Sequence, residues 1–539
     1  CAQFSVMSSR LMLAWAAVAS ASYVSWHAPQ QRSARSPHPT SVASLIAPPD
    51  ARPVPTKQHT VALVALGCPK NTVDAEVMLG DLQRYGMRIV AKPEEADIVI
   101  VNTCAFVEDA KRESIAAIVD AAHLKDDKAL PTRGLFVTGC MAQRYAQELA
   151  DELPEVDAIM GFESYADLPT QVLMLLESSG GAPVAQSVMV GSASVPFRAE
   201  DERFQLTPKH TAYLRVAEGC DHACTFCAIP GFRGNFRSKP YDAVVQEATK
   251  LVERGVKELN LIAEDTNQFG SDWGAADGRR LADLLHELGQ LEGLHWIRLL
   301  YCYPSYFSEA LVDEIAANPK VVKYIDIPLQ HLSPTVLQRM RRPGASATRD
   351  LLTRLRDNIP GVVLRSTFIC GFPGETEEEH RDLVEGARAV GFERGGAFAY
   401  SAEDGTPAAE MEGQLDEDVR EDRKDELMAL FQQQAEDWAE SQVGQEIEVM
   451  VDRMEGEDAI ARTQYDALDI DGTVRILATN LAPGTVQKVR VLAVEAMDLL
   501  ATPVGLPAPF DSLLLTGDPA ADAMIRLKMG MSVPKKSEK

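Results

Sequence analysis

The sequence predicts an α/β protein with three folded parts: a doubly wound parallel sheet, an open partial barrel of β/α units, and a small β-barrel. Three observations predict this class. Apolar strands alternate with helical segments over residues 58–175, a second such series covers residues 207–440, and short strands between turns follow over residues 441–507. Alternating strands and helices build parallel sheets, whereas short strands between turns build barrels. A chain of 539 residues is long enough for three such domains.

Residues 1–57 are predicted to be a targeting segment that precedes the fold. They contain one acidic residue, Asp50, against four arginines and one lysine, and they are rich in Ser, Ala and Pro. The apolar stretch at residues 11–18 is too short to span a membrane. This composition suits import into an organelle, by preference the plastid and otherwise the mitochondrion; the alternative is a disordered extension. Because the chain opens with Cys1, we expect the natural start to lie upstream.

In the first domain, three apolar strands each end at a cysteine. The strands are expected at residues 60–67, 97–103 and 134–139, and the cysteines that follow them are Cys68, Cys104 and Cys140. Helices are expected at residues 74–85, 108–122 and 142–152. Sites in parallel sheets form beyond the carboxyl ends of the strands, so the three thiols should meet at one edge. This pattern favours an iron–sulfur cluster there, and three buried structural thiols are the alternative.

Residues 176–206 are rich in Gly, Ser, Ala and Val and are expected to form a linker with weak strands. Six β/α units follow it. Their strands are expected at residues 211–217, 258–263, 296–301, 323–327, 362–369 and 396–400. Their helices include residues 241–254, 281–291, 348–358 and 377–390, the last with a capping box of Thr376 and Glu379. Six units predict an open partial barrel with its chemistry at the carboxyl ends of the strands.

The C-terminal part begins with residues 416–440, a charged run that predicts a solvated linking helix. A small β-barrel is predicted after it. Its strands are expected at residues 446–451, 459–462, 473–476 and 485–494, with turns at Asp471-Gly472 and Pro483-Gly484. Residues 508–539 end in lysines and are expected to form a disordered tail.

The net charge and the cysteines of the chain indicate which partners and which cysteine chemistry to expect. A net charge of −26 argues against broad nucleic-acid binding through phosphate neutralisation and suits a basic protein partner. Nine cysteines far apart in the sequence do not form a disulfide framework. Cys302 and Cys370 are expected to be packed apolar thiols. No feature predicts a membrane protein or an oligomer, so a monomer is expected.

The loop after the first strand of the second domain carries Cys220, Cys224 and Cys227 at C-x3-C-x2-C spacing. Three thiolates can hold three corners of an iron–sulfur cubane and leave the fourth iron open to a small chelating molecule. The alternative is a zinc site. Structural zinc takes four ligands, usually in C-x2-C pairs, and His222 lies too close within the loop to complete a tetrahedron. The spacing therefore favours the cluster.

This loop, with the aromatic Phe226 before its third cysteine, resembles that of radical S-adenosylmethionine enzymes. Over about residues 59–505 the chain resembles the methylthiotransferase family, whose members modify either adenosine in transfer RNA or an aspartate of ribosomal protein S-twelve. The first-domain motifs that carry the resemblance are Leu66-Gly67-Cys68-Pro69-Lys70-Asn71, Val101-Asn102-Thr103-Cys104 and Val137-Thr138-Gly139-Cys140. The C-terminal barrel resembles the TRAM domain of this family.

Several motifs resemble the ribosomal-protein branch of the family, the RimO branch. They are CPKN at residues 68–71, EDTNQFG at 264–270, YIDIPLQH at 324–331, RSTFICGFPGET at 365–376, FAYS at 398–401 and DGTP at 404–407. The charge of the C-terminal barrel favours the same branch, because residues 443–503 carry 11 acidic and 5 basic residues, a net charge of −6. An acidic barrel complements a basic ribosomal protein better than it complements RNA. The general acidity of the chain is the alternative explanation.

The resemblance implies two 4Fe-4S clusters and S-adenosylmethionine. The cysteines of the loop would hold the radical-generating cluster, and those of the first domain would hold an auxiliary cluster, whose open iron carries the sulfur to be transferred. One S-adenosylmethionine would supply the methyl group, and a second the radical that removes hydrogen from the β-carbon of the substrate aspartate. The implied partners are S-twelve, free or in the small ribosomal subunit, and an electron donor such as ferredoxin or flavodoxin.

Four other residues are candidates for binding the cofactor: Phe226, Asp265, Gln330 and Arg365. Phe226 is expected beside the adenine, unless it only packs the loop. The three polar residues follow or line barrel strands, where hydrogen bonding within the barrel is the alternative. Two other functions stay open. A transfer-RNA adenosine methylthiotransferase would need a basic barrel, and an iron–sulfur protein without radical chemistry would not cleave S-adenosylmethionine.

Overall fold

The computed structural model describes residues 58–177, 185–192, 197, 202–274, 277–477 and 479–505. Over these residues the predicted fold class is confirmed, because the chain forms a parallel-sheet domain, an open parallel sheet of six strands and a closed C-terminal barrel. The predicted targeting segment and the predicted tail lie outside the described residues. No helix within the described ranges is both long enough and apolar enough to cross a membrane.

The first domain is built on six parallel strands. In chain order they are β1 (Thr60–Ala65), β2 (Arg88–Ile89), β3 (Ile98–Thr103), β4 (Gly134–Thr138), β5 (Ala158–Met160) and β6 (Ser187–Met189). The helices between them are α1 (Pro69–Arg84), α2 (Glu108–Asp126), α3 (Gly139–Arg144), α4 (Ala146–Glu152) and α5 (Leu168–Glu177). The sheet order is β2-β1-β3-β4-β5-β6. The switch point between β1 and β3 is where doubly wound sheets form their sites.

The hydrophobic pattern predicted the long apolar strands of this sheet and missed the short strands β2 and β5, whereas β6 lies where weak strands were expected. Every residue of β3 is buried, as expected for a strand that is covered on both faces. β5 and β6 have three residues each, which is too few to carry a periodic signal. β6 pairs in parallel with β5, so residues 187–189 of the predicted linker form the edge strand of this sheet.

The second domain contains eight strands. They are β7 (Thr211–Arg215), β8 (Ala217–Glu218), β9 (Arg237–Ser238), β10 (Glu258–Ile262), β11 (Trp296–Leu299), β12 (Val321–Asp326), β13 (Val363–Cys370) and β14 (Arg394–Ala399). Six of them form the open parallel sheet in the order β14-β13-β12-β11-β10-β7, and β8 pairs with β9. All six predicted strands are therefore confirmed. Cys302 and Cys370 are buried in the core of this domain, as predicted.

The first helix of the second domain packs against the core of the first domain through Ile229 and Phe232. The helices of the second domain are α6 (Ile229–Arg233), α7 (Tyr241–Glu253), α8 (Leu281–Gly289), α9 (Glu309–Ala317), α10 (Pro334–Arg339), α11 (Ala345–Asn358) and α12 (Glu377–Val390). The predicted capping box of Thr376 and Glu379 begins α12. Short 3₁₀ helices of the described chain lie at Pro93–Glu95, Phe162–Asp167, Thr266–Gln268, Ser271–Trp273, Pro304–Tyr306 and Pro407–Glu410.

The linking helix, α13 (Glu417–Ser441), is not solvated on all sides, so this part of the prediction is wrong. The helix packs on β14 and buries Leu427, Leu430 and Phe431 in the core of the second domain. These residues have the i, i+3, i+4 spacing of a core-facing stripe. The many acidic residues on the opposite face concealed this stripe in the sequence.

Five strands close the C-terminal barrel. They are β15 (Glu446–Glu455), β16 (Asp458–Thr463), β17 (Val474–Ile476), β18 (Val486–Glu495) and β19 (Asp498–Pro503). Their order is β15-β16-β17-β19-β18. The sequence predicted the first four strands. β19 completes the barrel because it pairs with both β17 and β18.

A buried chain of charges joins this barrel to the second domain. Glu258, at the start of β10, accepts hydrogen bonds from Arg298 at 3.0 Å and from Arg462 at 2.7 Å. Arg462 also donates to Asp452 at 2.7 Å, and Asp452 bonds to His210 at 2.9 Å. All five side chains are buried. Removal of Glu258 would therefore leave Arg298 buried without a carboxylate partner and Arg462 with Asp452 alone.

We expect Glu258→Gln to lower the free energy of unfolding by about 3–5 kcal/mol, because the buried Arg298 loses its carboxylate partner and the buried Arg462 loses one of two. Burial alone raises the pKa of Glu258, but Arg462 and Arg298 outweigh it and lower the pKa to about 2. The stabilisation from this lowered pKa is present above the ordinary value of 4.5 and is lost as the pH falls towards 2.

Denaturant titration at several pH values measures both effects. The matched control is Glu446→Gln, which removes an exposed partner of Arg490 in the same barrel. The control should change the free energy of unfolding by less than about 0.5 kcal/mol. A loss in Glu258→Gln no larger than that of the control would contradict the account of this contact.

Candidate active site

The loop that carries Cys220, Cys224 and Cys227 follows β7 and β8, at the carboxyl end of the first strand of the second domain. Gly219 begins the loop with a φ of +75°, and a Cβ atom there would lie 2.2 Å from the carbonyl oxygen of Asn235. Only glycine fits such a position without strain. The loop therefore lies where partial barrels carry their chemistry.

Backbone N–H groups act on the sulfur atoms of this loop. The N–H groups of His222 and Ile229 oppose the effect of burial on the pKa values of Cys220 and Cys227. Burial raises the pKa of both thiols to about 12. Such thiols bind as thiolates when a metal ion replaces the proton. N–H groups directed at ligand sulfur, together with burial, set the reduction potential of iron–sulfur clusters.

Three stacked side chains support the loop. The ring of His222 lies on the ring of Tyr303 with centroids 3.6 Å apart, and the guanidinium of Arg342 lies 4.1 Å from the Tyr303 centroid. Arg342 also donates through Nη1 to the Sγ of Cys224 at 3.7 Å. The Nε of Arg342 is buried and has no hydrogen-bond acceptor within the described part of the chain. A buried donor beside a ligand sulfur fits a cluster, whose sulfide atoms are acceptors.

The geometry of the loop does not fit the zinc alternative. The Nε2 of His222 bonds to Oδ2 of Asp265 at 2.7 Å, so the histidine that could have been a fourth ligand has another partner. Among the described residues, no three side chains of His, Cys, Asp or Glu are arranged to hold one metal ion. A cubane needs no such convergence, because each thiolate binds a different iron.

The second set, Cys68, Cys104 and Cys140, lies at the switch point of the first sheet. Cys68 follows β1, Cys104 follows β3, and Cys140 lies in α3 directly after β4. Asn71 joins their loops. Its side-chain amide donates to the carbonyl oxygen of Thr103 at 2.7 Å, and its Oδ1 accepts from the Sγ of Cys140 at 3.7 Å. The rule for doubly wound sheets therefore brings three distant cysteines together.

The surroundings of this second set match those of the loop. Gly67 has a φ of +85°, and a Cβ atom there would lie 2.9 Å from the Sγ of Cys104. Burial raises the pKa of Cys104, and the N–H of Phe106 opposes this shift. Burial also raises the pKa of Cys140 to about 12, although the nearby Arg233 opposes this shift. Arg233 donates to the Sγ of Cys140 at 3.7 Å. The residues thus fit a second cluster.

A buried cluster of balanced charges lies between the two cysteine sets. Its acids are Asp74, Glu218 and Glu264, and its cations are Lys70, Arg215 and Arg233. Arg233, which contacts Cys140 of one set, donates to Glu218 at 3.1 Å. The N–H of Gly219, at the start of the other set's loop, donates to Glu264 at 3.0 Å. The two sets are therefore held in one connected hydrogen-bond network.

Of the candidates from the sequence, Phe226 lies in the cysteine loop and Asp265 contacts it. Phe226 packs against an apolar cluster that includes Phe372 and Tyr400. Asp265 is fully buried, and its hydrogen bond to His222 supports the loop. Burial is the largest influence on this carboxyl and raises its pKa, while His222 opposes the shift. Asp265 therefore positions His222 and, through it, the cysteine loop.

Arg365 and Gln330 lie within the barrel. Arg365 donates to Oδ1 of Asp326 at 2.7 Å and lies 3.8 Å from Asp471 of the C-terminal barrel. This is the hydrogen bonding within the barrel that the sequence left as the alternative. Gln330 has a φ of +74°, which is uncommon for a residue other than glycine, and its backbone pairs with Phe368 of β13. Such conformations occur most often at functional sites.

Sequence reasoning missed several residues of the site. Tyr303 lies beyond the carboxyl end of β11, and Glu264 lies beyond that of β10. A position after a barrel strand was the signal that could have found both. Arg342 and Arg233 had no such signal, because they reach the cysteines from elements that are distant in the sequence.

Three families match consecutive parts of the chain. Residues 60–161 match Uncharacterized protein family UPF0004, residues 214–387 match the Radical SAM superfamily, and residues 443–504 match the TRAM domain. The chain is 41% identical over 447 residues to the Ribosomal protein uS12 methylthiotransferase RimO of Desulforamulus reducens, across 82% of this chain and 98% of that protein. The protein of the same name from Geotalea uraniireducens is 43% identical over 447 residues, with the same coverage.

Solved structures show a weaker similarity. The radical S-adenosylmethionine methyltransferase TsrM from Kitasatospora setae, with cobalamin and a 4Fe-4S cluster bound, has a TM-score of 0.45 and 16% identity. The match covers 65% of this chain and 77% of that chain. A similarity at this level carries no argument about the substrate or cofactors of this chain.

Proposed function

Because the chain belongs to the methylthiotransferase family of radical S-adenosylmethionine enzymes, in its ribosomal protein uS12 (RimO) branch, we propose that it adds a methylthio group to the β-carbon of an aspartate of uS12. The observation that carries the proposal is the pair of three-cysteine sets joined through Arg233, Glu218 and Glu264. Removal of hydrogen and delivery of sulfur must act on one carbon atom, so the two sets have to be close together.

We assign the radical-generating cluster to Cys220, Cys224 and Cys227, and an auxiliary cluster to Cys68, Cys104 and Cys140. When bound, these groups supply the electron that cleaves S-adenosylmethionine and the sulfur that is transferred. The protein orients and encloses them. Arg342 holds Cys224, Asn71 joins the loops of the first domain, and the balanced charges between the sets allow that space to be buried.

No side chain of the site needs to remove a proton from the substrate. The β-carbon of an aspartate is far too weakly acidic for a side-chain base, which is why the family uses a radical. The contribution of the protein is therefore to exclude water and to align the reacting groups. The side chains of Lys70, Arg233 and Glu264 are each buried in the charge cluster between the cysteine sets.

The substrate is a protein in this proposal, and transfer RNA is the second candidate. The relatives named above are uS12 enzymes. The barrel at residues 443–503 carries a net charge of −6, which complements a basic ribosomal protein and repels the phosphates of RNA. A non-catalytic iron–sulfur protein is not supported, because residues 214–387 of the second domain match the Radical SAM superfamily.

The test is anaerobic reconstitution of residues 58–539 with iron and sulfide, followed by incubation with a reductant, S-adenosylmethionine and either uS12 or transfer RNA. Mass spectrometry should detect 5′-deoxyadenosine and a methylthio group on an aspartate of uS12. Modification of transfer RNA alone would favour the second candidate. No 5′-deoxyadenosine from a protein loaded with iron would refute radical chemistry.

Arg342→Met should lower the reduction potential of the cluster that we assign to the loop. In the wild type, the hydrogen bond from Arg342 to the Sγ of Cys224 and the positive charge of Arg342 both stabilise the reduced cluster. The change removes both. A redox titration followed by electron paramagnetic resonance measures the potential. Arg341→Met is the matched control, since Arg341 is an exposed neighbour. Equal potentials in the two variants would contradict this role.

We further propose that the enzyme acts as a monomer in the plastid, with electrons from a ferredoxin or flavodoxin. The composition of residues 1–57 supports the location, because this segment has one acid and five basic residues among many Ser, Ala and Pro. Residues 1–57 fused to a fluorescent protein should direct it to plastids. Accumulation in mitochondria would favour the second location, and a cytosolic signal would contradict import.

A further inference from the structure

Residues 401–408, which follow β14, form a strap between the two cysteine sets. β14 and β7 are the two edge strands of the open sheet. The strap leaves the carboxyl end of β14, and the N–H of Ala408 donates to the carbonyl oxygen of Thr225 at 2.8 Å. Thr225 lies in the cysteine loop that follows β7 and β8. The strap therefore connects the two sides of the open barrel at their carboxyl ends.

The strap is also fixed to the first domain, through the buried carboxylate of Glu403. This side chain is 6% exposed and accepts from Arg144 at 2.7 Å and from Lys111 at 3.3 Å. Arg144 also donates to the carbonyl oxygens of Ala105 at 3.2 Å and of Asp404 at 2.9 Å. Charge-assisted hydrogen bonds of this kind restrain position strongly when they are buried.

These contacts form a continuous path between the two cysteine sets. Ala105 directly follows Cys104, and Arg144 ends α3, the helix that carries Cys140. At the other end, Thr225 lies between the second and third cysteines of the loop. A change in the strap should therefore alter the position of both sets relative to each other.

The strap itself is a closed turn. The hydroxyl of Ser401 donates to Oε1 of Glu403 at 2.9 Å. The N–H and the hydroxyl of Thr406 donate to the carbonyl oxygen of Glu403 at 3.1 Å and 2.7 Å. Glu403 thus holds the conformation of the strap through its backbone and the contact with the first domain through its side chain.

We propose that Glu403 is a positioning residue that fixes the separation of the two cysteine sets and so couples hydrogen removal to sulfur transfer. The inference rests on the proposed function, because coupling requires that both steps act on one substrate. A displacement of about 1 Å can cost about a hundredfold in rate. A loosened strap should therefore slow sulfur transfer far more than cleavage of S-adenosylmethionine, because cleavage does not require the first-domain set.

The test is Glu403→Gln in the protein with its clusters reconstituted. The amount of methylthio-uS12 formed per 5′-deoxyadenosine should fall by roughly ten- to a hundredfold, with an unchanged iron content. The matched control is Glu410→Gln, which changes an exposed carboxylate in the short helix at the end of the strap. The control should keep the ratio of the wild type. A wild-type ratio in Glu403→Gln would overturn the proposal.

Amide hydrogen exchange gives a second readout, which does not depend on turnover. Glu403→Gln should speed exchange at residues 104–106 and 224–227, and leave exchange in the C-terminal barrel unchanged. Equal exchange in the variant and the wild type would overturn the proposal. If the wild type gave no methylthio-uS12, the proposed function would fail, and the exchange data would still decide whether Glu403 holds the two sets.

If Glu403→Gln loses its iron, Lys111→Met tests whether the contact of Glu403 with the first domain positions the two cysteine sets. This change removes one of the two cations that bind Glu403 and leaves the carboxylate and Arg144 in place. A lowered yield of methylthio-uS12 per 5′-deoxyadenosine would support the proposal. An unchanged yield from the iron-loaded variant would overturn it.

Discussion

Cys224→Ala is expected to abolish both the formation of 5′-deoxyadenosine and the modification of uS12. The change removes one of three thiolates from the loop and leaves the hydrogen bond of Arg342 without its sulfur acceptor. A cubane held by two thiolates would have two irons without a protein ligand. Because enzymes of this kind accelerate slow reactions by at least about 10⁶-fold, we expect a loss of more than about a thousandfold.

Cys302→Ala is the matched control for this variant. Cys302 is also a buried thiol of the second domain, but it packs in the apolar core. The control should therefore keep both activities and lose only a small amount of stability. Quantification of iron and of 5′-deoxyadenosine separates the two variants. Full formation of 5′-deoxyadenosine by Cys224→Ala would contradict the assignment of the loop.

Cys104→Ala is expected to separate the two halves of the reaction. The change removes a thiolate from the first-domain set and leaves the loop of the second domain intact. Formation of 5′-deoxyadenosine should continue, whereas methylthio-uS12 should fall below detection, because the sulfur-carrying cluster has lost a ligand. Mass spectrometry of both products from one reaction measures this separation.

The iron content provides the control for Cys104→Ala. It should decrease by the amount of one cluster, with the loop cluster still visible by electron paramagnetic resonance. Unchanged formation of methylthio-uS12 would refute the assignment of the auxiliary cluster. Loss of 5′-deoxyadenosine as well would mean that the first-domain set is needed for radical generation.

Strand endings made the first-domain cysteine set predictable from the sequence. Cys68 and Cys104 each follow an apolar run, and the rule for doubly wound sheets states that such endings meet at one edge. The loop of the second domain was predictable from its spacing alone. In both cases the signal is local, because it lies within a few residues of each cysteine.

Contacts between distant elements were not predictable. Arg233 reaches Cys140 from another domain, and Glu403 pairs with Arg144 across a sequence separation of more than two hundred residues. Neither pairing alters the hydrophobic periodicity of the helix or loop that carries it, so the sequence gives no signal of the contact. The three-residue strand β5 was missed for a related reason, since it is held by its neighbours in the sheet.

The most direct test of the account uses uS12 with deuterium at the β-carbon of its aspartates. The wild-type protein, loaded with iron and given S-adenosylmethionine and a reductant, should form 5′-deoxyadenosine that contains deuterium, together with methylthio-uS12. This result would place hydrogen removal at the substrate carbon. Formation of 5′-deoxyadenosine without deuterium, and of uS12 without a methylthio group, would contradict the central claim.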